Sequence, residues 1–514
     1  MTPEPTRFEW TLELDEAGVV AIAGLLAADL RRGDCIALVG DLGAGKTTLA
    51  RAMIRAALGD ENAEVPSPTF SLAQAYDTPR LAIAHFDFYR LANAHEALEI
   101  GFDEAHVNGA VLVEWPERAH EVMPADRLEI TLTEIDGAER RRIVMTGQGA
   151  WRKRLERLAA IRRFIENSGW GNAQVRPLAG DASTRRYMRV VRNGEIRVLM
   201  DAPRMPDGLP IRDGLPYSRI AHLAEDVRPF VAIGRYLKSL GLSVPEIYAF
   251  DLEGGLLLIE DLGDRVFGIE IGRGTDQTAL WRTAAEALHV IRRAGIPSPL
   301  PVGDGTMHDV PAYDRNAMQI EVELLADWYV PAATGSVLPA SVRQDFLTTW
   351  LGLFDQILNQ PKALVLRDFH SPNLIALPGR TGIARTGVID FQDALIGHPA
   401  YDLVSLLQDA RVDVDPTIEK TLLDAYIAAA SSDPGFNADG FRLAYAVLGA
   451  QRNTKILGIF ARLAKRDGKP VYLKHIPRIW RYLEHDLAHP ALSGLSSWYE
   501  QHLPSEIRSR AIEP

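Results

Sequence analysis

At 514 residues the chain is too long for one ordinary hydrophobic core, and two or three domains are expected. A net charge of −12, with 47% hydrophobic and 24% charged residues, fits a folded globular protein; it argues against a general nucleic-acid coat but leaves room for a local basic face. The single cysteine, Cys35, excludes intrachain disulfides and cysteine-only metal cages, and within its apolar strand it reads as a small buried hydrophobe.

The first residues, Met-Thr-Pro-Glu-Pro-Thr-Arg, hold no apolar signal core, and the uncharged run Ala17–Ala28 is too short to span a bilayer. A cytoplasmic protein without membrane contact is expected. Phe8, Trp10, Leu12 and Leu14 alternate with Glu9, Thr11 and Glu13, the period of a half-buried strand, and Asp15 can cap the helix that follows. Cys35–Val39 is a short apolar run that leads into Gly40-Asp-Leu-Gly-Ala-Gly-Lys-Thr47. Strand, glycine turn and helix are the context a phosphate loop requires. Gly40, Gly43, Ala44 and Gly45 would let backbone N–H groups approach the phosphates of ATP, and the next helix, with Thr48 in its first turn, presents its positive end. Lys46 would reach the outer phosphates and Thr47 a magnesium ion. Helix Thr48–Leu58 stops at Gly59.

Val65-Pro-Ser-Pro-Thr-Phe-Ser71 is too rich in proline for helix and reads as a stiff loop carrying a hydroxyl. Asp87 ends an alternating strand that begins near Leu81, and Glu114 ends the apolar strand Val111-Leu-Val-Glu, where an acid of the Walker-B type lies in phosphate-loop enzymes. Either carboxylate alone is compatible with a cap or a surface charge. With the phosphate loop they supply a metal ligand and a water-orienting group. Leu128, Ile130 and Leu132, the turn Asp136-Gly137, then Ile143 and Met145 describe a hairpin that closes an α/β domain at residues 1–148.

Gly-Asp-Leu-Gly-Ala-Gly-Lys-Thr-Thr, Ser-Pro-Thr-Phe, His-Phe-Asp-Phe-Tyr-Arg and Glu-Trp-Pro-Glu, in this order, resemble the TsaE family of small ATPases of bacterial threonylcarbamoyl-adenosine tRNA modification. The resemblance covers the first domain. It implies an ATPase that works on a TsaB–TsaD partner complex, with at most indirect contact with tRNA. By the same resemblance Asp87 is needed for hydrolysis, Glu114 helps hold the metal, and Thr69 is a switch-like hydroxyl.

A second unit is expected over residues 151–514. Trp151–Asn167 has helical spacing; Gln174–Leu178, Arg186–Val191 and Ile196–Met200 read as strands, the last two joined by the turn Arg192-Asn-Gly-Glu195. Ala179-Gly-Asp-Ala-Ser-Thr-Arg185 sits like a flap over ATP phosphates, with Ser183, Thr184 and Arg185 as candidate contacts. Helix Val227–Leu240, strands Ile247–Asp251 and Leu256–Ile259, and the hinge Glu260-Asp-Leu-Gly263, where the backbone of Glu260 and Leu262 could meet adenine, complete a small lobe at about 151–262. A mostly helical large lobe follows at about 263–514. Within it, Arg367-Asp-Phe-His-Ser-Pro-Asn373 and Ile389-Asp-Phe-Gln-Asp393 are a kinase-type catalytic set. Asp368 would take the proton of an acceptor hydroxyl, and Asn373 and Asp390 would hold magnesium against the ATP phosphates. His370 either touches substrate or braces the loop, and Asp393 adds support. Asp402 is read as a brace on the backbone of the catalytic loop.

The region resembles the aminoglycoside phosphotransferase-like kinases, with a two-lobed α+β fold like that of protein kinases. More narrowly it is similar to the AmgK kinases, which phosphorylate the anomeric hydroxyl of N-acetylmuramate and N-acetylglucosamine. Leu199-Met-Asp-Ala-Pro203, the two catalytic segments, Gln451-Arg-Asn-Thr-Lys-Ile-Leu-Gly-Ile-Phe-Ala-Arg462 and Arg466-Asp-Gly-Lys469 carry that likeness. It implies an amino-sugar substrate. Other acceptors (an aminoglycoside, choline, homoserine) and a regulatory module that binds nucleotide without transferring phosphate are the alternatives. Two positions depart from the superfamily: Leu366 stands where His is usual, and Met200 where a phosphate-binding Lys is usual. Helix Val227–Leu240 also has no Glu to pair with such a Lys, so a rewired clamp using Arg185 or Arg186 is expected. Glu321, Glu323, Asp327 and Trp328 on one helix, and Arg452 and Lys455 on another, are candidates for the sugar pocket or plain structural residues.

Overall fold

The computed structural model describes residues 7–136, 139–178, 185–297 and 299–513. Gly137 of the expected hairpin turn, and the flap residues Ser183 and Thr184, lie outside them. Strands β1 (Arg7–Leu14), β2 (Cys35–Val39), β3 (Ala73–Asp77), β4 (Ala82–Asp87), β5 (Ala110–Glu114), β6 (Leu128–Ile135) and β7 (Arg140–Gln148) form one mixed sheet in the order β1-β7-β6-β2-β5-β4-β3. Its centre is parallel: β2 lies between β5 and β6, and β4 flanks β5. Central strands so covered read as continuous apolar runs, and Cys35, Ile36, Ala37 and Leu38 are all fully buried.

Helix α1 (Glu16–Asp29) is capped by Asp15, whose carboxylate accepts from Gly18 N at 2.8 Å. Helix α2 (Lys46–Leu58) rises from the glycine loop and ends at Gly59 with φ 72°. The segment 65–72 has neither helix nor strand, as its prolines dictate.

The chain divides into two compact units, and the division does not fall at the hairpin that ends the first domain. The first unit holds residues 1–203 and 246–261, so the five-stranded sheet expected for the small lobe belongs with the phosphate-loop domain. Helix Ala150–Asn167 makes the join: Trp151, Leu155, Leu158 and Ile161 enter the core that holds Ile22, Leu26, Val175, Met188 and Leu258. Gly24 shows how close the layers come. A Cβ there would sit 2.6 Å from the Val175 carbonyl oxygen. Buried ions extend the contact. Arg154 pairs with Asp29 at 2.8 Å and Asp34 at 2.6 Å, Arg186 pairs with Asp29 and with Asp201 (2.5 Å), and Arg157 also meets Asp201 at 2.5 Å.

The second unit, residues 204–245 and 262–514, is mostly helical. Its long central helix Ala438–Lys465 packs against Arg315–Leu324, Ala400–Leu407 and Ile476–Leu487. The helix through Glu321 is regular to Leu324 and then opens into a π stretch, Leu325–Tyr329. Two-stranded ladders, Ala363–Val365 with Leu395–Gly397 and Leu374–Ala376 with Thr386–Val388, hold the catalytic loop.

Candidate active sites

In the first unit the glycine loop wraps the start of α2. Gly40 has φ 149°, and a Cβ there would lie 2.5 Å from the Leu132 carbonyl, so only glycine lets the loop turn at this point. Gly45 precedes α2 in the left-handed conformation, and no side chain caps the helix, so its first-turn N–H groups stay directed at the loop. Lys46, almost fully buried, closes back on the loop: Nζ donates to the carbonyls of Gly40 (2.6 Å) and Asp41 (3.0 Å) and lies 3.7 Å over the Trp115 ring. Burial lowers its pKa, opposed by Glu114, Glu117, Asp87 and Asp41.

Asp87 and Glu114 are register partners at the ends of β4 and β5, so two distant segments bring their carboxylates side by side. Thr47 Oγ1 donates to Glu114 Oε2 at 3.0 Å, and Thr69 Oγ1 to Asp87 Oδ2 at 2.7 Å. The expected metal pair and the expected switch hydroxyl thus each contact their carboxylate. His85 Nε2 lies 2.9 Å from Glu114 Oε1 and is fully buried. A recess of about 810 Å³ adjoins Gly45 and Thr48, lined by Asp15, Val19, Leu132 and Arg141, and is of a size that small-molecule sites have. Arg141 Nε also fastens the Ala44 carbonyl at 3.0 Å. Sequence reading missed Trp115, Arg141 and His85 as site residues. His85 and Trp115 carried a signal, their places in the His-Phe-Asp-Phe-Tyr-Arg and Glu-Trp-Pro-Glu segments; Trp115 adopts φ 58°, a strained conformation for a bulky residue.

The small-lobe sheet of the same unit places Met200, 1% exposed, opposite Leu257 and Tyr187. It is a packing residue there. Arg186 lies between Asp29 and Asp201, so of the two arginines proposed to replace the missing lysine it is already held by two buried carboxylates. The Glu260 N–H donates to the Glu246 carbonyl at 2.8 Å, and its carboxylate accepts from Glu246 N at 3.2 Å.

In the second unit the catalytic loop hangs from buried anchors. Asp402 accepts from Leu366 N at 2.6 Å and Arg367 N at 2.8 Å, the brace expected of it. Burial nevertheless raises its carboxyl pKa to about 7, with the two N–H groups opposing. The Arg367 side chain turns inward to Glu321 and to the Ala221 carbonyl at 2.8 Å, and its φ of 72° aims the next residue out of the core. Asp368 is the part-exposed residue that results. Burial pushes its carboxyl up. The positive groups around it, His370 where protonated, then Lys455, Arg367 and Arg452, outweigh that and hold it below the ordinary aspartate value. Asn373 Nδ2 donates to the Asp368 carbonyl at 3.0 Å and lies 3.5 Å from Asp390 Oδ2, so the amide and the second carboxylate do meet. Gln392 steadies Asp390 at 2.8 Å, and Asp393 accepts from Ala224 N at 2.6 Å. Asp390 itself sits at φ 59°.

His370 Nδ1 is buried without a partner among the described residues, and burial lowers its pKa to about 4, so the ring is neutral at pH 7. Glu321, a sugar-pocket candidate, is instead a fully buried anchor. It meets Arg367, Lys455 at 2.8 Å, Tyr313 at 2.5 Å and Gln451 at 2.9 Å; burial pushes its carboxyl up, but Lys455 and Arg367 bring it to about 2. Glu323 and Asp327 are paired with Arg212 and Arg343.

These features define a phosphate-loop nucleotide-binding domain followed by a phosphotransferase of the kinase type. Comparison with known proteins gives the families. Residues 14–143 match the model of the threonylcarbamoyl adenosine biosynthesis protein TsaE, and residues 174–437 that of the phosphotransferase enzyme family. An N-acetylmuramate/N-acetylglucosamine kinase of Caulobacter vibrioides is 38% identical over 362 residues, 69% of this chain and 98% of the relative. The corresponding kinase of Pseudomonas putida is 34% identical over 62% of this chain and 86% of its own length. A tRNA threonylcarbamoyladenosine biosynthesis protein TsaE of Rickettsia felis is 40% identical over 119 residues, 23% of this chain and 69% of the relative. The chain therefore belongs to the TsaE family in its first part and to the N-acetylmuramate/N-acetylglucosamine kinase branch of the phosphotransferase family in the rest. Both families use ATP. No helix among the described residues is long and apolar enough to cross a membrane.

Proposed function

We propose that this is a bifunctional enzyme: an ATPase that supports threonylcarbamoyl-adenosine formation on tRNA through a TsaB–TsaD complex, joined to a kinase that phosphorylates the anomeric hydroxyl of N-acetylmuramate and N-acetylglucosamine. In the kinase half the observation that carries the reading is Asp368, presented by a strained loop between buried braces, with Asn373 and Asp390 in contact beside it. The acceptor hydroxyl loses its proton to Asp368 as its oxygen bonds the γ-phosphorus of ATP; the bond from that phosphorus to the β–γ bridging oxygen breaks, and ADP leaves with the electron pair. A lowered carboxyl pKa keeps Asp368 ionised and ready to accept at pH 7.

Asn373 with Asp390, and Thr47 with Glu114, offer oxygen donors alone, the set a hard divalent cation takes, and both pairs suit Mg²⁺. Bound there, magnesium would neutralise charge on the phosphates. In the first half Lys46, Thr47 and the amides of Gly43–Gly45 would hold the phosphates and Asp87 would orient water. Of the residues expected to replace the absent lysine, Arg185 is the one we retain. Ser183, Thr184, Glu260 and Leu262 complete the proposed ATP contacts.

Phosphorus NMR of the full chain with Mg-ATP and either sugar tests the kinase half; an anomeric phosphate that vanishes in Asp368→Asn is the expected result. Aminoglycoside or choline phosphorylation in place of sugar would overturn it. For the first half, hydrolysis stimulated by TsaB and TsaD and lost in Lys46→Ala is expected, and hydrolysis indifferent to the complex would count against the tRNA role.

A further inference from the structure

Helix Ala438–Lys465 carries Arg452 and Lys455 three positions apart, hence on one face, and both are buried. Their surroundings differ. Lys455 is neutralised, with Nζ 2.8 Å from Glu321 and 3.3 Å from the Tyr401 hydroxyl. Arg452 is 4% exposed, and its sole hydrogen bond among the described residues runs from Nη1 to the Gln408 carbonyl at 3.4 Å. No carboxylate among the described residues pairs with it. A guanidinium has five N–H donors, and holding it in the interior with no anion in contact carries a standing cost that a directly bound anion would lower. The same guanidinium acts through space on Asp368, His370, Tyr401 and Asp402, so it stands in the neighbourhood of the proton acceptor. Among the described residues, His370 Nδ1 in that neighbourhood is buried without a hydrogen-bond partner.

The two sugars of the proposed reaction differ in one group: N-acetylmuramate bears a lactyl carboxylate and N-acetylglucosamine a hydroxyl. A kinase that takes both needs a cation that gains from the carboxylate but is not required to be paired. Arg452 has that character and Lys455 does not. Resting on the sugar-kinase reading above, we propose that Arg452 is the specificity-determining residue of the acceptor site and that it binds the lactyl carboxylate of N-acetylmuramate.

Arg452→Gln and Arg452→Lys, made in the full chain and checked for an unchanged melting temperature, test this with initial rates on both sugars. Loss of a buried charge pair predicts a KM for N-acetylmuramate raised about thirty-fold in the Gln variant, partly recovered by Lys. The KM for N-acetylglucosamine should stay within about two-fold, because that sugar offers the cation no charge, whereas kcat on both sugars shares whatever the lost charge does to Asp368. An equal rise in KM on both sugars would show that Arg452 does not read the lactyl group and overturn the proposal; unchanged kinetics on both would overturn it too. Calorimetric binding of N-acetylmuramate against its neutral lactyl amide separates this from the function itself. If the wild type phosphorylates neither sugar, the kinase reading falls, while a preference for the acid that disappears in Arg452→Gln still upholds the arginine's role. Equal or absent binding of acid and amide by the wild type sinks it.

Discussion

The phosphate loop and the catalytic loop solve the same problem, presenting groups to a nucleotide, by different means. Lys46 finds its hydrogen-bond partners at Gly40 and Asp41, within its own loop, and that loop turns at Gly40, where only glycine fits. Asp368 stands where it does because of groups far along the chain: Asp402 on the N–H groups of Leu366 and Arg367, Glu321 under Arg367, and Asp390 beside Asn373. A local turn can be read from neighbours in sequence. A loop hung from buried carboxylates is set by the packing of whole helices, and its strain at Arg367 and Asp390 persists because those anchors over-determine it.

The largest expected effect separates the two centres. Asp368→Asn should lower sugar phosphorylation by about 10²- to 10⁴-fold. Hydrolysis at the phosphate loop should be unchanged, and a parallel loss in an ATPase assay would show that the centres are not independent. Next, Asp201→Ala removes a buried partner from both Arg157 and Arg186 and should cost about 3–5 kcal/mol in urea unfolding. A smaller effect, under about 1 kcal/mol, would mean that the ions joining the phosphate-loop domain to the small-lobe sheet are dispensable.

The pH dependence should come from the second unit. Burial lowers His370 and His398 to about 4, so between the ordinary histidine value and 4 the unfolded chain binds protons that the folded one does not. Each histidine then contributes stability that rises with pH in that window and falls on acidification, by roughly 2 kcal/mol per histidine from pH 6.5 to 5, while Asp402, raised to about 7, contributes with the opposite sign. Thermal melts of His398→Asn should show a flatter slope, and an unaltered slope would exclude His398. The smallest effect tests packing. Gly24→Ala pushes a methyl group against the Val175 carbonyl and should cost about 1–3 kcal/mol by chemical denaturation.

Much of this was legible in the chain itself. The alternation through Phe8–Leu14, the cap at Asp15, the glycine loop and the order of small-lobe strands reappear in the structure with their ends displaced by only a few residues. The contact of Asn373 with Asp390, and the brace from Asp402, were also readable, because Asp and Asn at fixed offsets between apolar runs leave few places to go. What stayed open in the sequence involves charge. Glu321 read equally as a sugar ligand or a structural residue and is a buried anchor; Arg186, one of two arginines offered for a phosphate clamp, is paired with Asp29 and Asp201.

Local propensity, turn chemistry and hydrophobic period act between neighbours, so the elements and both motifs were determined by sequence alone. Which charges are neutralised depends on groups brought together from as far as 157 positions away. Only the tertiary structure decided that the small-lobe sheet shares a core with the phosphate-loop domain, that Lys455 is paired, and that Arg452 has no carboxylate beside it among the described residues. Burial makes each pairing decisive, since an ion removed from water must find its counter-charge within a few ångströms, and sequence order does not encode that distance.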